Sequence, residues 1–246
     1  MLTVAIVQAR MGSSRLPGKI MLDLAGKPMI QRCLERLSRA SSLDRVVVAT
    51  TTLVPDDEVA NFCAKLGYSC HRGSENDLLD RYYHAAKAEK ARRIVRITSD
   101  CPLVDPDLVD TVVACLDQDP ALDYCSNRLD EHTWPVGLDT EAFTIEALAK
   151  AWREDQDLAW REHVTPYIYF NPNLFKIRIL EHRKNLGHLR WTVDTLEDLE
   201  LMRRIYSLMG SDYFSWHEVL ELVRRHPKLI QINAHVKQKK VKTTDE

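Results

Sequence analysis

The first half of the chain alternates short, continuous apolar runs with longer amphipathic ones, and this limits its fold more than any other feature. LTVAIV (2–7) and RVVVATT (45–51) are apolar and rich in β-branched residues, the pattern of strands buried on both faces. YSCHRG (68–73) reads as a short strand and turn, and RRIVRITSD (92–100) as a strand ending in a polar loop. Between them lie three helical patterns. PMIQRCLERLSRA (28–40) starts with Pro28 and is apolar at 30, 33, 34 and 37. DDEVANFCAKLG (56–67) is acidic in its first turn and stops at Gly67, and ENDLLDRYYHAAKAEK (75–90) is amphipathic. DPDLVDTVVACLDQ (105–118) follows, with Asp105 as its cap. Such alternation predicts an α/β fold: a mostly parallel central sheet, helices on both faces, and ligands at the carboxyl ends of the strands.

The second half is less regular. DYCSN (123–127), GLDTEAF (137–143), LFKIRIL (174–180) and LRWTV (189–193) read as strands. TIEALAKAWRE (144–154), AWREHVTPYIYF (159–170, interrupted near Pro166), TLEDLELMRRIYSLMG (195–210) and SWHEVLELVRRHP (215–227) read as helices. We expect one domain over residues 1–235 and a flexible tail over 236–246. A net charge of −2 argues against a general nucleic-acid binder, so any anion site must be a local basic cluster. No secretory signal is expected, and no apolar run reaches the roughly 18–20 residues that span a bilayer. Cysteines 33, 63, 70, 101, 115 and 125 form no C-x-x-C pair, and are expected to be reduced thiols of a cytoplasmic protein rather than zinc ligands.

QARMGSSRLPGK (8–19) directly follows the first strand and groups Arg10, Arg15 and Lys19 with Gly12, Ser13, Ser14 and Gly18. It is not the nucleotide loop G-x-x-x-x-G-K-(S/T): five residues separate Gly12 from Gly18, and Ile20 follows Lys19 where a hydroxyl would be needed. Pro17 also resists a compact helix start. A solvated surface loop accounts for three charges in ten residues; position at a strand's carboxyl end, among small residues, favours phosphate. Asp100 is either a turn residue or a Mg²⁺ ligand beside that loop. DTLED admits two capping registers, Asp194 with Glu197 or Thr195 with Asp198, so Asp194 is either a cap or a ligand. Asp139, Glu141, Arg161 and His163 are individually surface-like, but WREHVTPY could line a pocket for a polyhydroxylated substrate, and His163 could titrate near neutrality.

The opening stretch resembles the motif A-R-x-x-S-x-R-(L/F)-P-G-K of cytidylyltransferases that activate acidic sugars, the CMP-Kdo and CMP-acylneuraminate synthetases. RGSENDLLDRY (72–82), RITSDCPLVDP (96–106), GLDTEAF (137–143), REHVTPYIY (161–169) and LRWTVDTLEDLE (189–200) look closest to their relatives in spore-coat polysaccharide biosynthesis. The resemblance implies a GT-A-like nucleotide-diphospho-sugar transferase fold, CTP, Mg²⁺ and pyrophosphate release. It implies a nucleotide site of Ala9, Arg10, Gly12, Ser13, Ser14, Arg15, Lys19 and Ser99. Arg15, Lys19 and Asp100 would be catalytic, and Asp100 with Asp194 would hold the metal. Asp139, Glu141, Arg161 and His163 would face the sugar. It also implies CTP and a small sugar as partners, neither nucleic acid nor membrane, and a homodimer. A glycosyltransferase of the same fold should carry D-x-D at the strand end, which SDCPL lacks. Another nucleotide, a phosphonate acceptor, or a non-catalytic nucleotide-sugar binder remain as alternatives.

Overall fold

Residues 1–128 and 133–238 are described by a computed structural model. Seven strands form one sheet in the order β5-β4-β1-β6-β8-β7-β9. Its parallel half is β1 (Thr3–Gln8), β4 (Arg45–Thr51), β5 (Ser69–Gly73) and β6 (Arg93–Thr98). β8 (Glu141–Thr144) runs antiparallel to β6 and to β7 (Tyr124–Ser126), and β9 (Ile177–Ile179) pairs parallel with β7. A separate hairpin pairs β2 (Asp23–Leu24) with β3 (Lys27–Pro28), between the opening loop and the first helix.

The helices are α1 (Met29–Leu37), α2 (Asp57–Leu66), α3 (Leu78–Ala88), α4 (Pro106–Gln118), α5 (Ile145–Glu154), α6 (Leu158–Arg161), α7 (Pro166–Tyr169), α8 (Leu196–Met209), α9 (Trp216–Arg225) and α10 (Lys228–Gln231). Because side chains alternate along a strand, each strand feeds two cores. Ala5, Val7, Val95 and Ile97 pack with Leu34 of α1, Val109 of α4 and Met202 of α8. Val4, Ile6, Val47 and Ile94 pack on the other face with Tyr82 of α3 and Leu148 of α5. Asp105 caps α4 through Leu108 N–H at 3.2 Å, and its second oxygen accepts the Trp216 N–H at 2.9 Å, fastening α9 to the same corner. The register pairs Gln8 with Ala49 and with Thr98, so the opening loop and the Asp100 loop leave the sheet at one edge.

Two expectations change. LRWTV (189–193) is not a strand; apart from the single bridge Val136–Arg190, its amides bond to loops, Trp191 to Val136 O and Val193 to Asp100 O. GLDTEAF is a strand only from Glu141, because Gly137 adopts φ +105°, outside the strand region. The interruption expected near Pro166 is present: the 159–170 stretch is two single-turn pieces, broken where Val164 takes φ +72° ahead of Pro166. Of the tail expected at 236–246, residues 239–246 lie outside the described residues; Val236 bonds back to Asn233 O, and Gln238 accepts from Arg190. No helix among the described residues is long and apolar enough to cross a membrane.

The sheet interior carries one ion pair, Arg96 of β6 and Glu141 of β8, directly opposite each other. Glu141 also accepts from Tyr124 Oη at 2.9 Å and from Thr165 Oγ1. Burial opposes both charges, yet each partner outweighs it: Glu141 holds the guanidinium above its usual range, and Arg96 holds the carboxyl below its own. Glu141, expected from sequence to face the sugar, is 4 % exposed and anchors this part of the sheet through these partners. Glu141→Gln strands a buried cation, at a cost of about 3–5 kcal/mol. Thermal melting should show a midpoint lower by roughly 10 °C; an unchanged midpoint would mean that Arg96 finds another counter-charge.

Candidate functional site

The opening loop is tied down by its own backbone. Ala9 N–H reaches Ala49 O at 3.1 Å, and Met11 N–H reaches Asp56 Oδ1 at 2.6 Å. Met11 O then accepts from both Ser13 and Gly18, at 2.9 and 3.0 Å, closing the loop. Gly18 turns the chain with φ +67° into a 3-10 turn, Lys19–Met21. Lys19 consequently points inward and is 8 % exposed.

Its ammonium meets Asp100 Oδ2 at 2.6 Å, Asp194 Oδ1 at 2.8 Å and Val193 O at 2.8 Å. Arg15 Nη2 lies 2.7 Å from Asp194 Oδ2. Two loop cations and two carboxylates from distant segments therefore converge on one point at the sheet edge. Burial opposes the Lys19 charge, but Asp100 and Asp194 outweigh it and hold the ammonium above its usual range. Asp194, despite burial, is held below the usual carboxylate range by Lys19, Arg190 and Arg15.

The capping ambiguity in DTLED resolves to Thr195 with Asp198. Thr195 Oγ1 accepts the Asp198 N–H at 3.3 Å and Asp198 Oδ2 accepts the Thr195 N–H at 3.1 Å. Asp194 is thus released from capping and faces Lys19. Arg190, which sequence reasoning missed, and Asp198, read there only as a capping partner, lie directly behind it. The signal was their spacing, four residues either side of Asp194, but only with the cap register known.

The chemistry of this donor set fits a divalent cation. Both carboxylates reach one point that already favours positive charge, and Mg²⁺ takes one or two carboxylates with phosphate oxygens and water. Cys101 touches the site at 3.7 Å from Asp100 Oδ1, and burial pushes its thiol well up, away from thiolate chemistry. All six cysteines are free.

The remaining expected residues separate. Gly12 and Ser14 are exposed on the loop, whereas the Ser13 amide serves Met11 O and its hydroxyl accepts the Leu16 N–H at 3.4 Å. Ser99 is buried, its N–H bonded to Gln8 O. Arg10 lies 3.7 Å from Glu162, both well exposed. Arg161 is engaged by Asp77 at 2.8 Å and by the carbonyls of Trp152 and Asp155, so it braces α6 against the start of α3. His163 is half-buried, and burial together with the Arg96 charge lowers its pKa from the usual histidine range. Asp139 lies 3.9 Å from Arg128, a basic residue not anticipated here.

Residues 4–230 match the protein family described as cytidylyltransferase. The spore coat polysaccharide biosynthesis protein SpsF of Bacillus subtilis is 34 % identical over 90 % of this chain and 94 % of its own. The 3-deoxy-manno-octulosonate cytidylyltransferase of Zea mays is 39 % identical, over 48 % of this chain and 39 % of its own. A cytidylyltransferase structure from Leptospira borgpetersenii superposes with a TM-score of 0.90 at 34 % identity, covering 98 % of this chain and 99 % of that one.

One glycine sets the position of Asp194. A Cβ on Gly137 would lie 2.5 Å from Thr192 N and 2.6 Å from Trp191 C, both backbone atoms, and φ is +105°. Gly137→Ala must push residues 191–194 away from the loop. The strain is worth about 1–3 kcal/mol; calorimetry should find a lower melting temperature together with weaker CTP binding in Mg²⁺. A variant matching wild type in both would show that the segment adapts without moving the carboxylate.

Proposed function

The chain belongs to the cytidylyltransferase family, and from that premise we propose that it activates an acidic, ulosonic or sialic-type sugar with CTP for surface polysaccharide or glycan synthesis. The carrying observation is the convergence of Lys19 and Arg15 on Asp100 and Asp194 at the end of the parallel strands.

In this reading a sugar hydroxyl oxygen attacks the α-phosphorus of CTP in line. A new P–O bond joins CMP to the sugar, the bond to the β-phosphate breaks, and pyrophosphate leaves with the bonding pair. The hydroxyl proton passes to solvent. Such transfer depends on positioning and charge stabilisation more than on covalent help from protein. Arg15 offers a planar fork and Lys19 a compact charge for phosphate oxygens. Asp100 and Asp194 would hold Mg²⁺, which when bound neutralises phosphate charge and polarises the reacting phosphoryl group. Asp139 and His163 keep the sugar side in this proposal, together with Arg128. A cytoplasmic homodimer is the proposed working form, checked by fractionation and sedimentation.

Pyrophosphate release should be measured with CTP, GTP, UTP and ATP, each crossed with acidic and neutral sugars. CTP with an acidic sugar should dominate; dominance of another nucleotide or of neutral sugars overturns the reading. Lys19→Ala and Arg15→Ala should each cost about 2–4 kcal/mol of transition-state stabilisation, with CTP binding weakened alongside. Asp100→Asn keeps shape while deleting charge and should abolish most turnover in a folded protein. Near-normal turnover of Asp100→Asn at saturating Mg²⁺ would remove Asp100 from the metal site.

A further inference from the structure

Arg190 links Asp194 to the rest of the molecule. Its side chain is 7 % exposed. Nη2 donates to Asp194 Oδ2 at 2.7 Å and to Asp198 Oδ2 at 3.1 Å, while Nε donates to Asp198 Oδ1 at 3.0 Å. Asp198 is fully buried and holds the same corner by its remaining bonds. It accepts the N–H of Asp194 at 2.9 Å and that of Thr195 at 3.1 Å, then Asn233 Nδ2 at 2.8 Å. Asn233 Nδ2 also donates to Arg190 O at 3.0 Å, and Gln238 accepts from Arg190 Nη1.

We propose that Arg190 is a positioning residue for nucleotidyl transfer, and that the turn over residues 233–238 belongs to the active site through it. The fork on Asp198 fixes the plane of the guanidinium. The shared Nη2 then pins Asp194 Oδ2 from behind and leaves Oδ1 turned toward Lys19 and Asp100. Asp198 neutralises Arg190, so the pair sets the orientation of Asp194 more than it adds charge at the site. A ligand oxygen held this way stays where a cation shared with Asp100 must find it. Without the fork, Asp194 is free to swing with Arg15, which also contacts Oδ2.

The proposal rests on the metal assignment to Asp100 and Asp194, and the test separates the two. Mn²⁺ binding is followed by electron paramagnetic resonance in the full-length chain, with CTP and without sugar. Arg190→Gln, Arg190→Lys and Asn233→Ala are compared with wild type, and CTP affinity is measured separately in chelator. Arg190→Gln should weaken Mn²⁺ binding about tenfold or more, the range found for groups that orient metal ligands. Arg190→Lys should fall between, and Asn233→Ala should shift the same way by less. CTP affinity in chelator should stay unchanged. Folded variants with wild-type Mn²⁺ affinity, whatever their melting temperatures, overturn the positioning role; so does a parallel loss of CTP affinity in chelator. If Arg190→Gln does not fold, the same readings on Arg190→Lys and Asn233→Ala decide. Wild type failing to bind Mn²⁺ beside CTP would instead sink the metal assignment, and the proposal with it.

Discussion

One ammonium group joins the parts of this site. Lys19 contacts Asp100, 81 positions away, and Asp194, 175 positions away. It closes the opening loop onto the end of β6 and the start of α8 in a single contact. Lys19 brings the two carboxylates to one cation, at 2.6 and 2.8 Å. A preference for positive charge is thus built into the sheet edge. The rest of the edge supports this arrangement: Met11 and Gly18 aim the lysine, Gly137 admits the 191–194 segment, and Arg190 holds Asp194 from behind.

Local signals were legible in the sequence wherever a short stretch decides its own structure. Apolar runs became strands, Asp105 became a cap, and the shared edge of the two functional loops followed from parallel alternation. What was not legible depends on partners far along the chain. LRWTV has the composition of a strand, yet among the described residues it pairs only through the Val136–Arg190 bridge, and its amides satisfy loop carbonyls. Glu141 and Arg161 look like ligands as isolated polar residues. Their counter-charges, Arg96 and Asp77, lie 45 and 84 positions away, and only folding shows that those partners occupy them. Asp194 was ambiguous for a related reason: either register of DTLED caps a helix locally, and the contacts of Asp198 with Arg190 and Asn233 select one.

The two sides of the site are held with different stiffness. The carboxylate side is buried and cross-bonded. The outer rim of the opening loop carries Arg10 and Glu162, an exposed pair at 3.7 Å of a kind worth about 0–1 kcal/mol. A rigid transfer centre beside a weakly latched rim suits a family in which the nucleotide chemistry stays constant while the acceptor varies. Under the proposed function, acceptor choice then lies with the rim and with Arg128, Asp139 and His163.

The loop also shows why a proline and three basic residues stand where other nucleotide loops place glycines. A phosphate loop of the common kind presents free backbone N–H groups. Here the amides of Ser13, Leu16, Gly18 and Lys19 are bonded within the loop and Pro17 has none to offer, which leaves those of Gly12, Ser14 and Arg15. Under the proposed function, phosphate recognition combines those three amides with the side chains of Arg15 and Lys19. Pro17 stiffens the turn that delivers Lys19. The side-chain cations are mobile charges, and they need somewhere to rest between substrates. Asp100 and Asp194 provide that place, so the same two carboxylates that fit a metal ion also keep the loop's own cations ordered.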